Sequence, residues 1–113
     1  ALNNLAWIAG KRNQKDAAGL AARAYAISPT PQVADTLGWI LARQSNPKQA
    51  LVLLAQAHQG MPTDPNVAYH YASVLAQTGD KAKAAAILKQ ALSSKQPFPD
   101  RAAAQALQEK IGA

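Results

Sequence analysis

The sequence predicts an all-α fold, and three observations support that prediction. Alanine, the strongest helix former, is abundant, whereas aromatic residues make up only 5% of the chain's 113 residues. Prolines and most glycines fall between apolar segments of helical period. The third observation is an internal repeat, because the sequence aligns with itself at an offset of 34 residues. We therefore expect a single helical domain over residues 1–113.

Composition excludes several classes of protein. The chain has no cysteine, which excludes a disulfide framework, a thiolate nucleophile and thiolate-bound metal sites. No apolar run approaches the roughly 20 residues that span a bilayer, so no membrane span is expected in this chain. The net charge of +6 favours acidic partners mildly.

Prolines and capping residues predict where the helices begin. Thr30, Asn46 and Asp64 are good N-cap residues, and each places a proline at the first helical position. Gly79 is expected to end a helix, and Asp80 is expected to cap the next. The predicted helices, seven in number, cover residues 2–10, 14–27, 31–44, 47–60, 65–78, 81–94 and 98–111. Connections of two to four residues require neighbouring helices to be antiparallel.

The repeat is ungapped between residues 31–62 and 65–96. An earlier copy begins near residue 5 and has a turn that is one residue shorter. An alanine-rich bundle of unrelated helices would share the alanines but not this register. Residues that recur between the copies are Pro31/Pro65, Leu41/Leu75, Ala50/Ala84, Leu54/Leu88 and Ala57/Ala91.

This unit of two antiparallel helices resembles the tetratricopeptide repeat (TPR). The resemblance implies a right-handed α-solenoid with three hairpins, over residues 1–30, 31–64 and 65–96, and a capping helix over 97–113. At the N-terminus, the first leucines already belong to a repeat, and no capping helix precedes them. We therefore expect the chain to be the C-terminal part of a longer array. The motif residues are Leu37, Gly38, Leu41, Ala50, Leu54, Ala57 and Pro62, then Tyr71, Ala72, Leu75, Gly79, Ala84, Leu88 and Ala91.

In this family the first helix of each unit lines the concave surface, and its exposed residues are the candidate partner contacts. Tryptophan, tyrosine and arginine are frequent in binding hot spots, so the expected partner is a protein or peptide with aromatic and acidic side chains. An alternative is that Trp7 and Trp39 pack against the next unit's inner helix. The same tryptophans, together with an acidic Asp35, disfavour the clamp with which some family members hold a C-terminal carboxylate. The candidate residues are Asn3, Trp7, Lys11, Asp35, Trp39, Arg43, Tyr69, Ser73 and Gln77.

The sequence predicts no catalytic, metal or cofactor site. Neither His58 nor His70 has a histidine or acidic partner three or four residues away, so both are interpreted as surface or partly packed residues. The acidic residues are scattered, and no carboxylate pair or phosphate-binding loop is recognisable. The predicted function is therefore a non-catalytic scaffold for protein–protein interaction.

Two other functions remain as alternatives. The first is a basic helical repeat that binds nucleic acid, although the basic residues form no periodic stripe. The second is a structural or oligomerisation module that associates through an uncapped N-terminal face.

A narrower resemblance concerns location. The stretches 1–7, 35–41 and 97–101 are similar to the C-terminal repeats of bacterial envelope TPR lipoproteins linked to exosortase-type sorting and exopolysaccharide export. This resemblance implies a periplasmic or cell-envelope protein within a secretion complex, with a cytoplasmic scaffold as the alternative.

Overall fold

The computed structural model describes residues 17–112, and this range contains six α-helices and no strand. The predicted all-helical fold is confirmed there. The predicted helix over residues 2–10 lies outside the described residues. The helices are α1 (Ala17–Ile27), α2 (Pro31–Arg43), α3 (Pro47–Gly60), α4 (Pro65–Gln77), α5 (Lys81–Leu92) and α6 (Arg101–Lys110).

The helices form consecutive hairpins, and the array is curved. The pairs α2–α3 and α4–α5 are the two described hairpins, and α6 packs on α5 and α4. Helix α2 contacts α4, and α4 contacts α6, whereas α1, α3 and α5 make no close backbone contact with one another. Since α2, α4 and α6 are closer together, they line the concave side, and we call them the inner helices.

Local capping explains most of the helix starts. The Thr30 side chain accepts a hydrogen bond from the Val33 N–H, and the Asp64 carboxylate accepts from two backbone N–H groups. Asp80 accepts from the Lys83 N–H in the same way. Asn46 occupies the predicted N-cap position of α3, but its side chain makes no capping hydrogen bond. The proline at the first position of α3 still fixes the helix start there.

The last helix begins later than predicted, at Arg101 instead of residue 98. Prolines at positions 97 and 99 explain this, because a residue that precedes proline is driven out of the helical region. Phe98 is instead buried in the core. The Arg101 guanidinium donates hydrogen bonds to the carbonyls of Leu92, Ser94 and Gln96, and so ties α6 to the segment that follows α5.

One hydrophobic cluster extends from α3 through α4 and α5 to α6. Leu54 of α3 and Leu88 of α5 occupy equivalent positions in the two hairpins, and both are fully buried. They belong to one cluster that extends to Ala104 of α6. None of the described helices is long and apolar enough to cross a membrane.

The approach of the two helices in the α2–α3 hairpin depends on Gly38. A Cβ atom at this position would lie 2.8 Å from Cγ of Leu54, whose side chain is fully buried. Gly19 in α1 differs, because a Cβ there would meet no atom of the described residues within 4 Å. Gly38 therefore allows the close packing of α2 on α3.

We predict opposite effects for alanine at these two glycines. Gly38→Ala should lower the free energy of unfolding by about 1 kcal/mol, because overpacking exceeds the gain in helix propensity. Gly19→Ala should raise it by about 0.5 kcal/mol, because only the propensity changes. Chemical denaturation followed by circular dichroism measures both values. Equal effects at the two positions would contradict this account.

The turns that end α2 and α4 share one geometry at equivalent positions. Ser45 has a φ of +67° and Gly79 has a φ of +101°. In each turn, the N–H of the following residue donates to a carbonyl five residues earlier. Asn46 donates to Leu41 at 2.9 Å, and Asp80 donates to Leu75 at 2.8 Å. The first turn therefore holds a non-glycine residue in the left-handed region.

Ser45→Gly should stabilise the protein by up to about 1 kcal/mol, because it removes this strain. Gly79→Ser is the matched reverse change and should destabilise by a similar amount. Thermal unfolding of both variants tests the prediction. A loss of stability in Ser45→Gly would show that the serine contributes something that its backbone conformation does not explain.

Candidate functional site on the inner helices

The structure places six of the predicted contact residues on α2 and α4. Arg43 and Gln77 are exposed, at the C-terminal ends of the two helices, and the other four are partly buried. The remaining three, Asn3, Trp7 and Lys11, lie outside the described residues. The four partly buried residues are Asp35, Trp39, Tyr69 and Ser73.

Trp39 and Tyr69 form an aromatic corner between α2 and α4. Their ring centroids lie 5.8 Å apart, and the ring planes are inclined by 59°. Trp39 also stacks on the imidazole of His70, at 4.2 Å and 18°. Trp39 therefore packs against the next inner helix while remaining partly exposed. Because one indole face covers His70, the exposed surface of Trp39 belongs to its edge or its opposite face.

Beneath this corner, His70 joins three segments of the chain. It is only 1% exposed, and its Nδ1 lies 2.8 Å from Oδ1 of Asp35 on α2. Its Nε2 lies 3.3 Å from Oδ2 of Asp100, immediately before α6. Asn66 completes the cluster through both ends of its amide. Its Nδ2 lies 3.5 Å from Nε2 of His70, and its Oδ1 accepts a hydrogen bond from the Asp100 N–H at 3.0 Å.

The interpretation of His70 as a surface or partly packed residue is therefore wrong. The test for partners three or four residues away examined a single helix, whereas the partners of His70 lie on neighbouring segments. The repeat offset could have found them. At an offset of 34 residues, Asn66 at the start of α4 aligns with Asp100, which immediately precedes α6, and the two residues are hydrogen-bonded.

The environment of His70 favours its charged form. Burial by itself lowers the pKa of this imidazole. The hydrogen bonds and negative charges of Asp100 and Asp35 outweigh burial, so the pKa is raised above 6.5, the usual value. The two nitrogens face different carboxylates on different sides of the ring.

No group of three or more metal-ligating side chains among residues 17–112 could hold a metal ion.

Tyr69 is affected by the same cluster. Burial and the charge of Asp100 both raise its pKa above the ordinary value of 10.0, and a hydrogen bond with the Ser73 side chain opposes them. Ser73 thus supports the ring from the next turn of α4. The carboxylate of Asp100 is 36% exposed, so negative charge is present beside the aromatic corner.

The second histidine lies outside this cluster. His58 of α3 is partly packed, as predicted, with its ring 5.5 Å from the ring of Tyr71. Burial and then the charge of Lys83 lower its pKa. Its Nδ1 is buried and has no hydrogen-bond partner within residues 17–112. His58 lines a separate cavity of about 210 Å³ between α3, α4 and α5.

An apolar groove of about 600 Å³ lies between α1, α2 and α3. Leu37, Leu41 and Leu53 line it, together with Val52, which is 60% exposed. This groove is separate from the aromatic corner, and none of the described residues that line it is ionisable.

We predict that Asp100→Asn lowers the pKa of Tyr69. The substitution removes the nearby negative charge but leaves the burial of the ring in place. A ¹³C NMR titration of the tyrosine Cζ resonances resolves Tyr69 from the other tyrosines. Asp64→Asn is the matched control, because Asp64 also precedes an inner helix, and it should leave this pKa unchanged. The same pKa in wild type and Asp100→Asn would contradict the proximity of the two groups.

Comparison with known proteins agrees with this architecture. No curated protein matches the chain. A family model described as tetratricopeptide repeat matches residues 41–111, which is more than half of the sequence. TPR arrays generally mediate protein–protein interaction. The chain therefore belongs to the tetratricopeptide repeat family.

Proposed function

We propose that this protein is a non-catalytic scaffold that binds an extended segment of a partner protein along its inner helices. The observation that carries the proposal is the partly exposed Trp39 ring, held between its stacking contact with His70 and the ring of Tyr69. An aromatic side chain fixed in this way loses little entropy on binding. Tryptophan and tyrosine also contribute large binding energies at protein interfaces.

The proposed partner segment has an aromatic or apolar side chain next to an acidic one. The apolar side chain would contact the aromatic corner. Arg43 lies one helical turn beyond Trp39 and is exposed, so it would attract a carboxylate. In the first unit, Asn3, Trp7 and Lys11 would extend the same surface.

A library of ten-residue linear peptides displayed on phage tests the proposal. Aromatic and acidic positions vary independently in the library, and enriched peptides are resynthesised for calorimetry. The double variant Trp39→Ala/Arg43→Ala should weaken their binding at least about thirtyfold, the effect of losing one hot spot of about 2 kcal/mol. Val52→Ala/Lys89→Ala changes two exposed residues of the outer helices and should bind as wild type does.

Two further measurements separate loss of contact from loss of structure. Trp39→Phe keeps an aromatic ring over His70 and should retain part of the affinity. Circular dichroism should show the same helical content in every variant. Peptides that bind Trp39→Ala/Arg43→Ala undiminished would refute the assignment to the inner helices.

The two alternatives, a nucleic-acid binder and an oligomerisation module, each predict a different result. Binding to DNA or RNA that weakens steeply with salt, whatever the base sequence, would indicate a nucleic-acid binder. A dimer in light scattering that Val52→Lys disrupts would indicate self-association.

We also propose a periplasmic or cell-envelope location, within a secretion complex for exopolysaccharide. Its support is the resemblance of stretches 1–7, 35–41 and 97–101 to bacterial envelope lipoproteins. The N-terminal sequence of the full parent protein tests this proposal. A signal peptide followed by a lipidation site would support it, and a start without either would favour the cytoplasm.

A further inference from the structure

The carboxylate that precedes the last helix is turned toward a buried histidine. Asp100 occupies the N-cap position of α6, yet its side chain makes no capping hydrogen bond. It faces Nε2 of His70 instead, at 3.3 Å, and α6 forgoes the usual stabilisation of its first turn.

Other contacts of α6 with the array are few. Ala104 is its one buried residue, and Leu107 and Ile111 are only partly buried. Phe98 is buried in the core, and the guanidinium of Arg101, the first residue of α6, bonds the carbonyls of Leu92, Ser94 and Gln96. The contact between His70 and Asp100 adds to these bonds, and it links the start of α6 directly to the inner helix α4.

The protonation state of His70 determines whether its Nε2 can bond the Asp100 carboxylate. An imidazolium donates from both nitrogens, and here both face carboxylates. A neutral imidazole has one N–H, which stays with Asp35 at the shorter distance of 2.8 Å. Its unprotonated Nε2 then presents a lone pair to the Asp100 carboxylate, and that contact becomes repulsive.

A different partner for the neutral ring is already in place. Nδ2 of Asn66 lies 3.5 Å from Nε2 of His70 and can donate to it once the proton has left. The cluster therefore has two complete hydrogen-bonding arrangements, and only the protonated one includes the Asp100 carboxylate, whereas the Asp100 N–H bonds Asn66 in both.

We propose that the protonation of His70 is a switch that fastens α6 to the inner helices, and that deprotonation releases it. The switch is a property of the free protein. It does not depend on peptide binding, so its test and that of the proposed function can fail separately.

The direction of the pH dependence follows from the surroundings of His70. Among the described residues, the titratable groups that face it are Asp35 of α2, Asp100 before α6 and Tyr69 of α4. Because the folded protein has the higher histidine pKa, the stabilisation is complete below about 6.5, the pKa of an unfolded histidine. It is lost as pH rises through the folded-state pKa.

Amide hydrogen exchange at pH 6 to 9 tests the proposal in the full chain. After correction for intrinsic exchange rates, protection of the α6 amides should fall with rising pH, by about tenfold for each unit of pKa elevation. Protection in α2 and α3 should stay constant. His70→Gln should abolish the pH dependence, and His58→Gln, the matched histidine control, should preserve it.

A second variant and a spectroscopic measurement address misfolding of His70→Gln. Asp100→Asn keeps a hydrogen-bond acceptor but removes the charge, and should also make α6 protection independent of pH. ¹⁵N NMR of the imidazole should show two protonated nitrogens at pH 6 and an Nδ1–H tautomer at high pH. A neutral ring at pH 6, or wild-type α6 protection that does not change with pH, would overturn the proposal.

Discussion

The array depends on the close contact between the two helices of each hairpin. Gly38 lets Leu54 approach the backbone of α2, and a fully buried Leu54 then contributes to the surface on which α4 packs. A single hairpin cannot bury that surface alone, so its stability comes from the next unit. The cluster from Leu54 through Leu88 to Ala104 is the result, and it sets the spacing of the inner helices.

Much of the fold could be predicted because its signals are local. Proline at the first position, an aspartate or threonine cap and a positive-φ glycine each act within one turn, and the 34-residue register relates the turns to one another. The start of α6 differs from the prediction because two local signals compete there. At α6 the restriction imposed by Pro97 and Pro99 outweighs the helix propensity of the residues around them.

The candidate site could be predicted only in part, because its geometry depends on contacts between units. Periodicity along one helix placed Trp39 and Tyr69 on exposed stripes, and both are partly exposed. It could not show that Trp39 also stacks on the neighbouring helix, because that contact depends on the distance between α2 and α4. The partners of His70 were missed for the same reason.

Comparison of equivalent positions explains why the charged cluster occurs at this interface. One repeat earlier, Thr36 takes the place of His70 and is also buried, but its hydroxyl bonds the Gln32 carbonyl of its own helix at 3.1 Å. A hydroxyl that is satisfied locally adds nothing to the contact between units. His70 must instead find both partners on other segments, since a buried charge without them would be strongly destabilising. The imidazole therefore ties the position of the last helix to that of the aromatic corner, a coupling that the earlier repeat lacks.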